Sequence, residues 1–372
     1  MKKYTPLDGL RWSRNSDSAL NNMPQTDVLG RVGGKIRQSN LELCRILAIL
    51  LVVLVHANFA WCGWPSNFSE CNFARLLIEG FAIIGVNVFV LITGYFSTSI
   101  KMKSLANLVY ICLFYAVIRL LVGYVTGCFD IKDIFFISKS NWFIPSYIGL
   151  LLFTPFLNNI NLNKRQLRNV IIALVAYEVW FGYLPALPQV LPGFQYGYSL
   201  PSFMIIYLIA RYIRLYDLPS VFYKLSVIIY LGCSFVLAVE AYFLLKLFAD
   251  TGKDMVNALN HLVYSYNNPV VILSSISFFC FFKNIEIGYS KFINYIAGSV
   301  LAVLLIHTSA PLNPFMKEYF RVSLENYSGI SLVIIWVLGL VSIFFFCVVV
   351  DQLRIFSYRL IKTKINIFTD KK

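Results

Sequence analysis

The chain has 372 residues, of which 58% are hydrophobic and only 13% are charged. A soluble domain carries about 25% charged residues, so the composition excludes an ordinary soluble protein and indicates an integral membrane protein. The formal net charge is +14, but the basic residues lie in short loops between apolar runs. That distribution argues against nucleic acid as a partner and is typical of loops on the cytoplasmic side of a membrane.

The polar N-terminal segment, 1–39, contains Gly, Ser, Asn and Asp and has no apolar core of the kind found in a secretory signal peptide. Its composition predicts a disordered cytoplasmic tail. We predict a membrane domain over 40–355, followed by a basic cytoplasmic tail over 356–372.

Ten apolar runs follow the N-terminal segment, each close to the roughly 20 residues that a helix needs to cross a bilayer. They lie at 41–61, 77–97, 105–125, 142–160, 168–187, 198–214, 223–248, 266–283, 292–312 and 328–352. We therefore predict an all-α polytopic membrane protein with about ten transmembrane helices.

The distribution of Lys and Arg predicts the orientation of these helices. With the N-terminus inside, the inside segments carry 23 Lys and Arg residues and the outside segments carry 7. Short cytoplasmic loops hold the excess of positive charge, so both termini are predicted to be cytoplasmic. Two further basic residues, Arg45 and Arg119, lie within spans; Arg119 either lines an internal channel or pairs with Glu79, Glu178 or Glu240.

The first span, "CRILAILLVVLVHANFAW", contains both an arginine and a histidine. His56 follows Arg45 by eleven positions, which brings both side chains to one helix face, roughly 16 Å apart along the axis. Glu42 lies one turn before Arg45, a spacing that predicts an ion pair. An arginine at the centre of a bilayer costs about 2.5–3.5 kcal/mol on insertion scales, so this face is predicted to point into the bundle.

A second intramembrane histidine, His307, lies in the ninth span at a depth similar to that of His56. An unperturbed imidazole has a pKa of about 6.5 and can accept a proton near neutrality, which suits the activation of a hydroxyl. With three histidines and no nearby carboxylate pair, no metal site is predicted.

Cys62 and Cys71 share one predicted outside loop, where a disulfide or two free thiols are both compatible with the sequence.

Six segments of the chain, taken in order, resemble motifs of the acyltransferase-three family of membrane acyltransferases. The resemblance covers about 40–355. The segments are Arg45 and His56 with ten residues between them, "GVNVFVLITGYF" (85–96), "NWFIPSYIGLLLFTPFLN" (141–158), "YLIARYIR" (207–214), "YNNPVVILSSISFFCFF" (266–282) and "IAGSVLAVLLIH" (296–307).

The resemblance implies transfer of an acyl group, usually acetyl from cytoplasmic acetyl-CoA, to a hydroxyl of a cell-surface or lipid-linked sugar. It implies a multi-pass enzyme that modifies a polysaccharide from the inner (plasma) membrane of a bacterium. By resemblance, His56 is the essential histidine, acting as general base or transient acyl carrier. Arg45, paired with Glu42, helps position the donor or its thioester.

The remaining candidate residues divide between the donor and the substrate channel. The residues assigned to acetyl-CoA are Lys101, Lys103, Arg119, Arg211 and Arg214. Those assigned to the channel or to the developing oxyanion are Trp142, His307, Asn87 and Thr93. The chain departs from the family in two ways: Lys101 and Lys103 replace the arginines of some members, and Tyr147 lies where many members have an acidic residue.

A glycan or lipid transporter, or a flippase, is the alternative function. Buried charges and segments interrupted by Pro and Gly are common in carriers, but no inverted repeat is visible in the sequence. The sequence leaves open the sugar hydroxyl that is acylated, the acyl chain, direct or covalent transfer, and the oligomeric state.

Overall fold

The computed structural model describes residues 31–32, 35–36, 38–98, 102–128, 131–133, 142–184, 194–248, 251, 254–309 and 311–369. Residue contacts divide the chain into two units, 1–37 and 38–372. In the first unit, β1 (Arg31–Val32) pairs antiparallel with β2 (Lys35–Ile36). These two short strands lie in the segment for which the sequence predicts a disordered tail.

The second unit is built from helices. They are α1 (Ser39–Val55), α2 (Phe73–Ala82), α3 (Gly85–Tyr95), α4 (Met102–Thr126), α5 (Phe143–Asn158), α6 (Lys164–Glu178), α7 (Leu200–Tyr216), α8 (Ser220–Phe248), α9 (Met255–Ala258), α10 (Pro269–Asn284), α11 (Lys291–Ala297), α12 (Val300–His307), α13 (Asn313–Asn326) and α14 (Gly329–Thr369). Three of them continue into π-helical turns, at His56–Trp61, Val179–Tyr183 and Leu259–Val263.

Helices occur at all ten apolar runs that the sequence shows. Among the described residues, five helical segments are long and apolar enough to cross a membrane: Ser39–Trp61, Phe73–Tyr95, Ser104–Thr126, Ser220–Phe248 and Gly329–Leu360. Three shorter apolar segments are Phe143–Asn158, Pro269–Asn284 and Lys291–His307. The protein is therefore an all-α membrane protein, and the count of ten spans and the cytoplasmic termini stay predictions.

The last helix is longer than the sequence predicts. The apolar run ends near 352, but α14 continues to Thr369 and includes most of the predicted basic tail. The residues after 352 contain neither Gly nor Pro, so no residue there breaks the helix where its apolar character ends.

Side-chain caps determine where several helices begin. Asn72 accepts hydrogen bonds from the backbone of Ala74 and Arg75 at the start of α2. At the start of α6, Asn163 and Gln166 form a reciprocal capping box. Because the first backbone N–H groups of a helix have no partner within it, each such cap contributes about 1 kcal/mol.

Glycines bring α3 into close contact with its neighbours. A Cβ atom at Gly85 would lie 2.7 Å from the carbonyl oxygen of Ala48 in α1, and one at Gly94 would lie 2.6 Å from the carbonyl oxygen of Tyr207 in α7. Small residues allow helices in a bilayer to approach closely, where van der Waals contact holds them together. The two outer glycines of "GVNVFVLITGYF" therefore let α3 pack closely against both α1 and α7.

Candidate active site at a buried histidine pair

The helix that carries His56 changes its winding at that residue. The α-helical turns of α1 end at Val55, and His56–Trp61 is π-helical. Asn58 holds this turn to α2, because its amide nitrogen donates to the carbonyl oxygen of Arg75 (2.9 Å) and to Oε2 of Glu79 (2.8 Å). Single π-helical turns occur frequently at functional sites.

The structure brings His56 and His307 together. Nδ1 of His56 lies 3.3 Å from Nε2 of His307, and the ring centroids are 5.0 Å apart at an interplanar angle of 72°. Nδ1 of His56 is also 2.8 Å from the carbonyl oxygen of Val52, and Nδ1 of His307 is 2.6 Å from that of Val303. His307 is fully buried, so the imidazole of His56 is directed to a partner inside the bundle.

Aromatic side chains cover the pair on one side. The ring of Trp61, at the end of the π-helical turn, lies 6.1 Å from that of His56, and Phe320 of α13 lies 5.6 Å from Trp61. Both aromatic side chains are buried. Such packing keeps water away from one side of the imidazole, which is useful when an activated donor must not be hydrolysed.

Arg119 lies beside the histidine pair. Its Nε donates to the carbonyl oxygen of Leu305 at 3.0 Å, and its Nη2 donates to the same oxygen and, at 3.0 Å, to Oγ1 of Thr308. The side chain is buried in the bundle. The structure thus places Arg119 against the end of α12, next to His307; its role in binding acetyl-CoA stays a prediction.

The predicted ion pair at the other end of α1 is present. Nη1 of Arg45 lies 2.6 Å from Oε2 of Glu42. The side chain of Glu42 is 5% exposed, whereas that of Arg45 is 27% exposed. A carboxylate held by an adjacent guanidinium makes a short, charge-assisted hydrogen bond, so the pair fixes the direction of the Arg45 side chain.

Three of the motif segments meet around Asn158, the last residue of α5. Arg211 of α7 donates from Nη1 to Oδ1 of Asn158 (3.0 Å) and from Nη2 to its carbonyl oxygen (2.6 Å), and Tyr207 donates to the same Oδ1 (2.8 Å). Arg214 donates to the carbonyl oxygen of Tyr95 at 2.7 Å. Lys101 lies outside the described residues, and Lys103 is described only as a backbone position in the first turn of α4.

The predicted channel residues lie among aromatic and hydroxyl groups. Thr93 donates to the carbonyl oxygen of Phe89, and its Oγ1 lies 3.1 Å from the hydroxyl of Tyr147. Asn87 donates to the carbonyl oxygen of Tyr266 at 2.9 Å.

Trp142, at the start of α5, forms an aromatic cluster with two tyrosines. Its ring centroid is 4.5 Å from that of Tyr198 and 5.6 Å from that of Tyr266. Because Asn87 binds the backbone of Tyr266, the second and fifth motif segments also meet here. The structure therefore gathers the predicted residues in four places: the histidine pair, the ion pair of Glu42 and Arg45, the Asn158 end of α5, and the Trp142 end of the same helix.

Sequence reasoning missed Asn58 and Asn158, and it noted Tyr147 only as a departure from the family. Asn58 is a polar residue in an apolar run, two positions after His56, and that alone is a signal of function or of a tertiary hydrogen bond.

Among the described residues, no group of three or more His, Cys, Asp or Glu is arranged to hold a metal ion. Cys62 and Cys71 are both unpaired.

The fold and these contacts define a class: an all-α integral membrane protein with histidine, arginine and carboxylate groups held inside its helical bundle. Residues 38–351 match the family model described as an acyltransferase domain. The chain belongs to the acyltransferase-three family, as the sequence resemblance predicts, and it is a membrane acyltransferase. No curated protein and no solved structure matches it.

Proposed function

We propose that the protein is an O-acetyltransferase that moves an acetyl group from cytoplasmic acetyl-CoA to a hydroxyl of a cell-surface or lipid-linked sugar. It would act in the inner (plasma) membrane of a bacterium. The observation that carries this proposal is the contact of 3.3 Å between the imidazoles of His56 and His307 inside the bundle of an acyltransferase.

His56 is the general base in this mechanism. One ring nitrogen takes the proton of the sugar hydroxyl while the hydroxyl oxygen attacks the thioester carbonyl. The C–S bond then breaks, and the departing thiolate takes the proton from the imidazolium, so an ester and free CoA are formed. A positioned general base contributes typically about 10²–10⁴-fold to the rate.

The donor approaches from the end of the bundle that carries Asn158. The phosphates of CoA cannot enter hydrocarbon, so they stay at the membrane surface, close to Arg211 and Arg214. Nε of Arg211 is buried and has no hydrogen-bond partner among the described residues. A phosphate oxygen is the acceptor that such an unused guanidinium donor favours, and Lys101 and Lys103 would add positive charge.

The acceptor sugar occupies the opposite end. Trp142 is the N-cap of α5 and Asn158 is its last residue. Sixteen steps along a helix, each about 1.5 Å, put the two residues about 24 Å apart. The Trp142 cluster offers aromatic faces on which a sugar ring can stack, and Asn87 and Thr93 supply polar groups near it. The two substrates therefore enter from opposite sides, with the thioester delivered along the Arg45 face of α1 towards His56.

Acetyl transfer is tested with the purified protein in lipid vesicles, using acetyl-CoA with carbon-14 in the acetyl group. The acceptors are glycan and glycolipid fractions from cells that lack the gene. We expect base-labile label on the glycan, since an O-acetyl ester is cleaved by mild base, and no label when carbon-14 is placed in the adenine instead. If no fraction is labelled but a labelled glycolipid crosses the vesicle membrane, the protein is a transporter and the proposal is wrong.

A further inference from the structure

We infer that His307 is a positioning residue that fixes the tautomer of His56, and that Arg119 holds the helix end on which His307 lies. This inference rests on the proposed function, because it assigns the atom of His56 that receives the proton. It also gives His307 and Arg119 roles different from the substrate-channel and CoA-binding roles that the sequence predicts.

The hydrogen-bond acceptors around the pair determine which nitrogens carry protons. A backbone carbonyl only accepts, so Nδ1 of His307, 2.6 Å from the carbonyl oxygen of Val303, carries its N–H. A neutral imidazole has a single N–H, and Nε2 of His307 is therefore an acceptor. It faces Nδ1 of His56 at 3.3 Å.

Nδ1 of His56 thus has two acceptors, Nε2 of His307 and the carbonyl oxygen of Val52. With both rings neutral, this nitrogen must carry the N–H, and the lone pair of His56 is on Nε2. The carbonyl of Val52 also accepts the backbone N–H of His56, so it is a shared partner for the ring. His307 supplies the acceptor that is not shared in this way.

Protonation of His56 at Nε2 would strengthen the contact. The imidazolium then carries positive charge, and its Nδ1–H donates to the lone pair of His307. A carboxylate has this function in a serine-protease triad, where it orients the base and stabilises the imidazolium. In this protein a neutral second imidazole would do the same without placing another full charge inside the bundle.

Arg119 explains why His307 stays in place. His307 is the last residue of α12, and the last four carbonyls of a helix have no partner within it. Arg119 reaches across from α4 and donates to one of these, the carbonyl oxygen of Leu305, and to the hydroxyl of Thr308 just beyond the helix. Its positive charge also lies at the negative end of the helix dipole.

The tautomer is tested directly by nitrogen-15 NMR of histidine-labelled protein in lipid nanodiscs. The chain has only three histidines, and His261 is an internal reference whose ring stacks on Tyr196 at 4.3 Å, apart from the pair. We expect His56 to carry its proton on Nδ1 in the native protein and to populate both tautomers in His307→Phe. A proton on Nε2 of His56 in the native protein, or an unchanged tautomer in His307→Phe, would overturn the inference.

Kinetics separate a positioning role from contact with the donor. We expect His307→Phe to lower kcat by about 10- to 100-fold, the range found when a group that orients a metal-bound histidine is lost, with KM for acetyl-CoA within about twofold. His307→Gln should recover part of kcat, because its amide oxygen can accept from His56. Arg119→Met should lower kcat and Arg119→Lys should restore part of it, again with little change in KM.

The outcomes distinguish this inference from the proposed function. If His56→Gln is inactive but His307→Phe turns over at the native rate, His56 remains the base and only the role of His307 is wrong. If the Arg119 variants raise KM for acetyl-CoA and leave kcat unchanged, Arg119 contacts the donor instead of holding α12. If His56→Gln is fully active, the proposed function of His56 is itself wrong.

Discussion

Nδ1 of His56 and Nε2 of His307 lie 3.3 Å apart, although 251 positions separate the two residues along the chain. The contact joins the first and the ninth predicted spans. On one side Asn58 fixes the π-helical turn that begins at His56, and on the other Arg119 holds the end of α12. The pair is therefore supported by residues from α2 and α4 as well as by its own helices.

The close packing of α3 against α1 gives a first prediction. A Cβ atom at Gly85 would lie 2.7 Å from both the carbonyl oxygen of Ala48 and Cγ2 of Val52. Gly85→Ala should push the two helices apart, destabilise the protein by about 1–3 kcal/mol and lower activity, since Val52 also accepts from the His56 ring. Thermal unfolding in detergent and acetyl transfer measure the two effects.

Gly232→Ala is the matched control for this substitution. Gly232 lies within α8, and a Cβ atom there would have no other heavy atom within 4 Å. It should leave unfolding and activity unchanged or raise stability slightly, because Ala favours a helix over Gly. Equal losses in the two variants would show that the contact between α1 and α3 is not the cause.

The ion pair between Glu42 and Arg45 gives a second prediction. The two groups lie 2.6 Å apart and Glu42 is almost fully buried. In a double-mutant cycle of Glu42→Gln and Arg45→Gln, we expect a coupling free energy of about 0.5–3 kcal/mol, the range for residues in direct contact. Unfolding of the single and double variants in one detergent gives this value, and strict additivity would show that the pair contributes nothing.

The hydrogen bonds of Arg211 give a third prediction. Its guanidinium holds the side chain and the backbone of Asn158 at the same time, and an ammonium group cannot reproduce that fork. Arg211→Lys should raise KM for acetyl-CoA by about tenfold, the loss of about 1.4 kcal/mol of binding. Steady-state kinetics of Arg211→Lys and of Arg168→Lys, at an exposed arginine of α6, measure the change; an equal effect of both would show that the contact with Asn158 is not the cause.

The amide of Asn58 gives a fourth prediction. It accepts from Nε of Arg75 and donates to Glu79, a fully buried carboxyl group. Asn58→Ala leaves these groups without their partner, which costs about 1–3 kcal/mol, and lets the turn after His56 relax. We expect a lower unfolding temperature together with a lower kcat.

Asn326→Ala is the control for Asn58→Ala. Its amide donates to the carbonyl oxygen of Val322 at an exposed position, where water can replace it. This variant should keep native stability and native kcat. If Asn58→Ala also keeps both, the hydrogen bonds to α2 do not support the active site.

Hydropathy was enough to predict a helix at each of the ten apolar runs, but it did not mark α13, Asn313–Asn326, which lies outside them. The pair of Glu42 and Arg45 was also predictable, since a spacing of three residues brings side chains together on any helix. The end of α14 was not, because a helix can continue into water after its apolar part ends.

Tertiary contacts were the part that the sequence could not supply. Counting residues gave His56 and His307 a similar depth, but the direction in which each side chain points depends on how the helices pack. Arg119 was compared with three glutamates as partners, whereas it donates to the backbone carbonyl of Leu305. Every residue carries such a carbonyl, so no sequence pattern marks the one that an arginine will bind.

The central claim is that His56 takes the proton of the acceptor hydroxyl, and the most direct test is the turnover number of the purified His56→Gln protein. Glutamine can keep a hydrogen bond to Val52 but cannot accept a proton at neutral pH. We predict that kcat falls by about 10²–10⁴-fold, while His261→Gln, which changes the histidine outside the pair, stays within about twofold of the native rate. Acetyl transfer by His56→Gln at the native rate would contradict the account.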